Sequence, residues 1–346
     1  MMKKWVLLFS LLFVSSLSLA EIRHLRLGPG KVIAYETIFQ KMDAPTLILL
    51  PGVNRSLNSS DRSVRMLADL GWNLVMPSLS AHPLSIQGLK SSETPYFVLD
   101  NRTRAKEFAK DIEELVAYLG VKKSIPVTLS YSSSVGAFLD PELFPHVIET
   151  VPLGTATEAN PEAAKNAELW ENWLRLNPFM APIWIRQFRD QAYTTHWSKT
   201  VDENLKADPE FYGENPRVSD IKAGYVTIAR AVEDFDLTQW KFDSEKRTRD
   251  FVFAGKENEE RLKNQIEAVK SYLASGKPVR VLVVENAGHI LPSDQPRIYA
   301  SAISLLASQP RQGSVQFAVV RSAESIATLR WQGRAELESW LKENQR

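Results

Sequence analysis

The sequence contains no cysteine, which excludes disulfides, a thiol nucleophile, a thiolate metal site and lipid attachment through an N-terminal cysteine. Packing alone must hold the chain together. It also lacks an excess of charge of either sign: 42 Lys and Arg stand against 41 Asp and Glu, interspersed, for a formal net charge of +1. Nothing in that balance favours a nucleic acid or another polyanion as partner. Histidine is scarce, five residues in all, and no two of them stand at metal-ligand spacing. Nucleotide signatures are missing too. Gly28-Pro29-Gly30 is not a dinucleotide fingerprint, and no glycine-rich loop ends in the lysine and hydroxyl that hold a nucleoside triphosphate. No cofactor is implied.

What is present begins with an unusual N-terminus. Lys3 and Lys4 precede an apolar stretch from Trp5 to Leu19 that ends in Ser18-Leu19-Ala20. A basic start, a hydrophobic middle and small residues before Ala20 form the layout of a cleaved signal peptide. The apolar stretch falls short of the ~20 residues a membrane-spanning helix needs, so no integral membrane segment is expected after cleavage. Loss of the two lysines leaves 40 basic residues, from 42, against 41 acidic ones. With 346 residues, 44% of them hydrophobic, the remaining chain can bury a large core.

Along that chain, short apolar runs alternate with helical patterns. Leu25 and Leu27, then Ile33, Tyr35 and Thr37, flank Gly28-Pro29-Gly30 and predict an opening hairpin. Continuous apolar runs predict buried strands at 46–50, 74–76, 125–129, 147–151, 251–254 and 281–284. Between them, Ser60 is placed to cap a helix carrying Val64, Leu67 and Ala68. Phe108, Ile112, Leu115, Val116 and Leu119 share one helical face that Gly120 terminates. Strands alternating with helices predict an α/β fold: a mostly parallel sheet covered by helices on both faces. Residues 155–245 break the alternation, with helical patterns and five of the nine tryptophans, and read as an inserted helical cap. The expected organisation is a signal peptide at 1–20, a core in two parts at 21–154 and 246–308, the cap between them, and a C-terminal extension at 309–346. In the extension, Val315, Phe317 and Val319 alternate as in a strand, and Ser322 to Trp340 reads as one amphipathic helix.

The stretch Ser130-Tyr131-Ser132-Ser133-Ser134 follows the strand at 125–129. A serine becomes a nucleophile when it projects from a sharp strand-to-helix turn toward a base, and such a turn requires small residues two positions before and after it. Ser132, flanked by Ser130 and Ser134, meets that demand; Ser134, flanked by Ser132 and Gly136, also meets it but lies further from the strand. Ser133 has the bulky Tyr131 two positions before it. Among the histidines, His289 in Asn286-Ala287-Gly288-His289 lies just past the strand at 281–284. Loops at the carboxyl ends of parallel strands share one rim, so His289 and the serine turn can meet there.

Taken in order, Leu50-Pro51-Gly52 after one strand, Pro77-Ser78-Leu79-Ser80-Ala81-His82 after the next, the serine turn, and Gly288-His289 make the chain resemble the α/β-hydrolases from about Ile22 to Ala307. That resemblance implies an esterase-like serine hydrolase with a helical cap. Ser132 would be the nucleophile, His289 the general base, and the backbone amides of Val53 and Ser133 the oxyanion hole. The third member falls in Gly255-Lys256-Glu257-Asn258-Glu259, with Glu257 expected as the acid, Asn258 as an orienting substitute, and Glu158 a more distant choice. His82, without flanking glycines, reads as a structural rim residue. The implied partner is a small-molecule ester or acyl substrate. A peptidase or amidase, or a binding protein that keeps the fold without the chemistry, stays open beside it. Asn54, Asn58 and Asn101 begin glycosylation triplets. Two of these lie by the expected rim, where a glycan would obstruct it, which favours a bacterial periplasm or secreted protein.

Overall fold

The computed structural model of the protein describes residues 21–41, 44–52, 57–93, 95–96, 103–155, 176–180, 227–228 and 230–345. The expected signal peptide, Val53, Glu158 and most of the expected cap lie outside the described residues.

Among the described residues, nine strands form one sheet: β1 (Arg23–Gly28), β2 (Lys31–Ile38), β3 (Thr46–Leu49), β4 (Asn73–Ser78), β5 (Ser124–Leu129), β6 (His146–Thr150), β7 (Thr248–Ala254), β8 (Val279–Val284) and β9 (Val315–Val320). Their order is β1-β2-β4-β3-β5-β6-β7-β8-β9. The first two strands form the hairpin, and β2 runs antiparallel to β4; from β4 to β9 every pairing is parallel. The α/β class read from the sequence is the observed one.

Apolar runs become central strands because both faces are covered. Along β7, Phe251 and Phe253 join one buried cluster and Val252 and Ala254 the other. Along β8, Val281 and Val283 separate from Leu282 and Val284 in the same way. Among the described residues the helices, in chain order, are α1 (Arg62–Asp69), α2 (Pro83–Gln87), α3 (Ala105–Tyr118), α4 (Ser133–Phe138), α5 (Glu259–Ala274), α6 (Leu291–Asp294), α7 (Pro296–Ser308), α8 (Ala323–Ala327) and α9 (Arg334–Glu343). Phe108 and Ile112 of α3, Ile266 and Val269 of α5 and Leu337 of α9 pack on one face. Val64 and Leu67 of α1 and Ile298, Ile303 and Leu306 of α7 pack on the other. Among the described residues, no helix is long and apolar enough to cross a membrane.

Two local expectations need correction. Asp61, not Ser60, occupies the N-cap position of α1. The single C-terminal helix is two, α8 and α9, because Gln332 exchanges both backbone hydrogen bonds with Phe317 at 3.0 and 2.8 Å. That pairing holds the intervening segment extended against β9, where a helix could not supply the same donors and acceptors.

Candidate active site

The carboxyl ends of β5, β7 and β8 bring three side chains together. Ser130 directly follows β5 at φ 50°, a left-handed conformation rare for a residue with a Cβ. A single-turn 3₁₀ segment, Ser130–Ser132, leads from it into α4, so the chain reverses sharply and the Ser130 hydroxyl projects from the bend. Its Oγ lies 2.9 Å from His289 Nε2. His289 Nδ1 lies 2.5 Å from Glu257 Oε2.

Each partner is held by its own loop. The β7 and β8 loops touch at Gly255, whose N–H donates to Val284 O at 2.8 Å. A Cβ at Gly255 would come within 2.4 Å of Glu285 O, so only glycine permits the approach that carries Glu257 to His289. On the histidine side, the Gly288 N–H donates to Asp294 Oδ2 at 2.6 Å, closing the loop from which His289 projects. The Glu257 side chain is 1% exposed and that of His289 26%, so the acid is buried and the histidine partly open to solvent. Burial pushes the Glu257 carboxyl up, but the His289 hydrogen bond and charge outweigh it, leaving the group below its ordinary value and ionised.

The expected nucleophile, Ser132, does not reach His289. It is fully buried, and its Oγ folds back on Leu129, accepting from the N–H at 2.8 Å and donating to the carbonyl at 3.2 Å. Ser134 is buried as well, its hydroxyl donating to Tyr131 O at 2.7 Å. The bend thus begins two residues earlier than the sequence reading places it. The expected oxyanion donor Ser133 moves with it, since its N–H turns back to Ser130 O within the same turn. Of the three candidates for the third member, Glu158 lies outside the described residues, Glu257 meets His289, and Asn258 caps α5, accepting from Glu260 N at 3.0 Å. His82 is completely buried at the start of α2.

The sequence did carry a signal for Ser130: it is the first residue after an apolar strand, and Thr128 and Ser132, two positions either side, are both small. Thr128 reads as a strand residue, which hid its second role as a flank of the turn. Tyr131, next to Ser130, is buried and its phenol donates to Ile228 O at 2.9 Å, tying the bend to a residue within the 155–245 region. Among the described residues, no group of three or more acidic or histidine side chains could hold a metal ion.

An ordered Ser–His–Glu chain on a strand-to-helix bend, at the carboxyl edge of this sheet, matches one architecture. The fold is that of the α/β-hydrolases. Solved structures share it across most of their length. An α/β-hydrolase enzyme from a Medee basin deep-sea metagenome library covers 85% of this chain and 99% of its own, with a TM-score of 0.56 at 13% identity. The enol-lactonase of Burkholderia xenovorans covers 83% and 100%, TM-score 0.55 at 13% identity. A thermophilic esterase from Thermogutta terrifontis covers 83% and 98%, TM-score 0.54 at 13% identity. At such identities the likeness is one of fold. No protein-family model matches the sequence, and no curated protein matches it.

Proposed function

We propose that the protein is an exported serine hydrolase acting on carboxylic esters, with Ser130 as nucleophile, His289 as general base and Glu257 as the acid. The observation that carries this reading is the continuous hydrogen-bonded chain from Ser130 Oγ through His289 to Glu257, ending at a serine held at φ 50°. Strained backbone of this kind costs about 1–3 kcal/mol and concentrates at functional sites.

In the reaction, Ser130 Oγ attacks the ester carbonyl carbon while its proton passes to His289 Nε2. Glu257, ionised and buried against Nδ1, holds the ring in orientation and stabilises its positive charge. The tetrahedral oxyanion collapses, His289 returns the proton to the departing alcohol, and a water activated by the same nitrogen releases the acid from the acyl-enzyme. With Ser130 as nucleophile, the family pattern makes the Tyr131 backbone N–H one oxyanion donor and the loop after β3, at Gly52 and Val53, the other. Such a donor is typically worth ~3 kcal/mol on the transition state. Support for a hydrolase also comes from the structural neighbours, an esterase and an enol-lactonase among them. Export rests on the N-terminal layout alone.

A fluorophosphonate probe, which phosphorylates activated serines, provides the test. Wild-type protein should label, Ser132→Ala should label like wild type, and Ser130→Ala should not label. A folded wild-type protein that fails to label would leave a non-catalytic binding protein as the better account, and a chain-length series of chromogenic esters and peptides would separate esterase from peptidase.

A further inference from the structure

Directly beneath the bend lies a circuit of buried charge that the proposed chemistry does not use. It begins at Thr128, two residues before Ser130 and paired across the sheet with Glu149 of β6. The Thr128 hydroxyl donates to Glu149 Oε2, and both side chains are completely buried. The other Glu149 oxygen is taken by the Arg249 guanidinium, also completely buried. Arg249 in turn meets Glu245 through two parallel contacts, Nε to Oε2 at 3.0 Å and Nη2 to Oε1 at 2.7 Å. Glu245 Oε1 also lies 2.5 Å from Arg247 Nε. From there the circuit returns to the bend: Arg247 donates to the carbonyls of Gly136 and Leu139, at the end of α4.

Four buried charges therefore connect the strand that enters the bend to the end of the helix that leaves it. Stability alone does not account for them, because well-packed apolar residues commonly serve as well as a buried ion pair. What a fully connected polar circuit supplies is a single permitted geometry. Further contacts converge on the same short segment. Thr150 donates its hydroxyl to Thr128 O, Ser133 Oγ lies 3.3 Å from Thr128 Oγ1, and Leu153 N–H donates to Ser130 O at 3.2 Å. Helix α4 sits so close that a Cβ on Gly136 would come within 2.7 Å of Thr128 Cγ2.

We infer that Thr128 and Glu149 are positioning residues for Ser130: the hydroxyl-to-carboxylate contact, locked from behind by Arg249, holds the left-handed bend so that Ser130 Oγ stays on His289 Nε2. This rests on the reading of Ser130 as nucleophile. Thr128→Val is the informative substitution, since it preserves shape and leaves the Glu149–Arg249 pair intact. Thr128→Ser keeps the hydroxyl.

The experiment measures, for wild type and both variants, kcat and KM on a short-chain p-nitrophenyl ester and the second-order rate of fluorophosphonate labelling. Thr128→Val should lose about tenfold or more in kcat and labelling rate with KM within about twofold, the pattern of a misaimed nucleophile. Thr128→Ser should return both rates to within about threefold of wild type. The inference is overturned if Thr128→Val keeps wild-type kcat and labelling, or if Thr128→Ser is as slow as Thr128→Val. In those cases wild type still labels at Ser130, and the hydrolase reading stands. A wild-type protein that does not label removes that reading and this inference together.

Discussion

The two edges of the sheet use buried charge in opposite ways. At the amino edge of β6, β7 and β8, Asp250 is saturated. One oxygen meets His146 Nε2 at 2.8 Å and Arg280 Nη2 at 2.6 Å, and the other accepts from Arg311 Nη2 at 2.9 Å and Nε at 3.1 Å. At the carboxyl edge, Glu257 meets His289, and His289 meets a hydroxyl on strained backbone. The first arrangement closes on itself and can only stabilise. The second ends at the hydroxyl of Ser130. Similar residue types do both jobs, and what separates them is that the first ends in ion pairs to cations and the second at a serine hydroxyl.

Substitutions at the two edges should therefore dissociate activity from stability. The largest expected effect is on Ser130→Ala, which should lower kcat for ester hydrolysis on the order of 10⁵-fold while leaving the melting temperature near that of wild type. Next comes Glu257→Gln, which keeps shape but not charge: steady-state kinetics should show a loss of about 10³- to 10⁴-fold in kcat, with a circular-dichroism spectrum matching wild type.

Asp250→Asn should reverse the pattern. It strands buried arginines and should cost about 3–5 kcal/mol in denaturant unfolding, while kcat of the folded fraction stays within about twofold of wild type. A matching loss of kcat would dissolve the contrast between the edges.

The same aspartate predicts a pH dependence. Burial would raise its carboxyl, but His146 and Arg280 hold it far below the ordinary carboxylate range. A depressed folded-state value means the stabilisation is complete above the unfolded value of about 3.9 and is lost as pH falls toward the folded one. Melting temperature should accordingly fall more steeply in acid for wild type than for Asp250→Asn. The smallest effect belongs to Ser132→Ala, whose hydroxyl only braces Leu129: a change of about 1 kcal/mol in stability and less than about threefold in kcat. A collapse of kcat in that variant would return the nucleophile to Ser132.

Much of this was legible in advance. Buried strands announce themselves as apolar runs when both faces are covered, and β3, β5, β7 and β8 lie where such runs stand. His289 follows a strand end, and order along the chain was enough to bring it to the rim of the serine turn, whereas Glu257 was chosen from the family resemblance, ahead of Asn258. The position of the bend was not legible, because the residue that takes the left-handed conformation is a serine among serines rather than a glycine. Strand β9 reads as a half-exposed alternating strand, yet all of it but Val319 is buried. Leu337 and Leu341 of α9 on the Phe317 face, and Ile326 of α8 on the Ala318 face, cover what the pattern leaves open.

Composition and order by themselves determined the class of sheet, the absence of thiol chemistry and the placement of a histidine beyond a parallel strand, and the family resemblance pointed to the glutamate. Which hydroxyl they meet was decided only in three dimensions. The choice between Ser130 and Ser132 depends on a single backbone torsion, φ 50° at Ser130. That torsion costs free energy locally and persists because distant residues oppose its release: Leu153 on the Ser130 carbonyl, Thr150 on the Thr128 carbonyl, and the buried Glu149 against the Thr128 hydroxyl. No window of neighbouring sequence contains those contacts, since they join residues the fold alone makes adjacent.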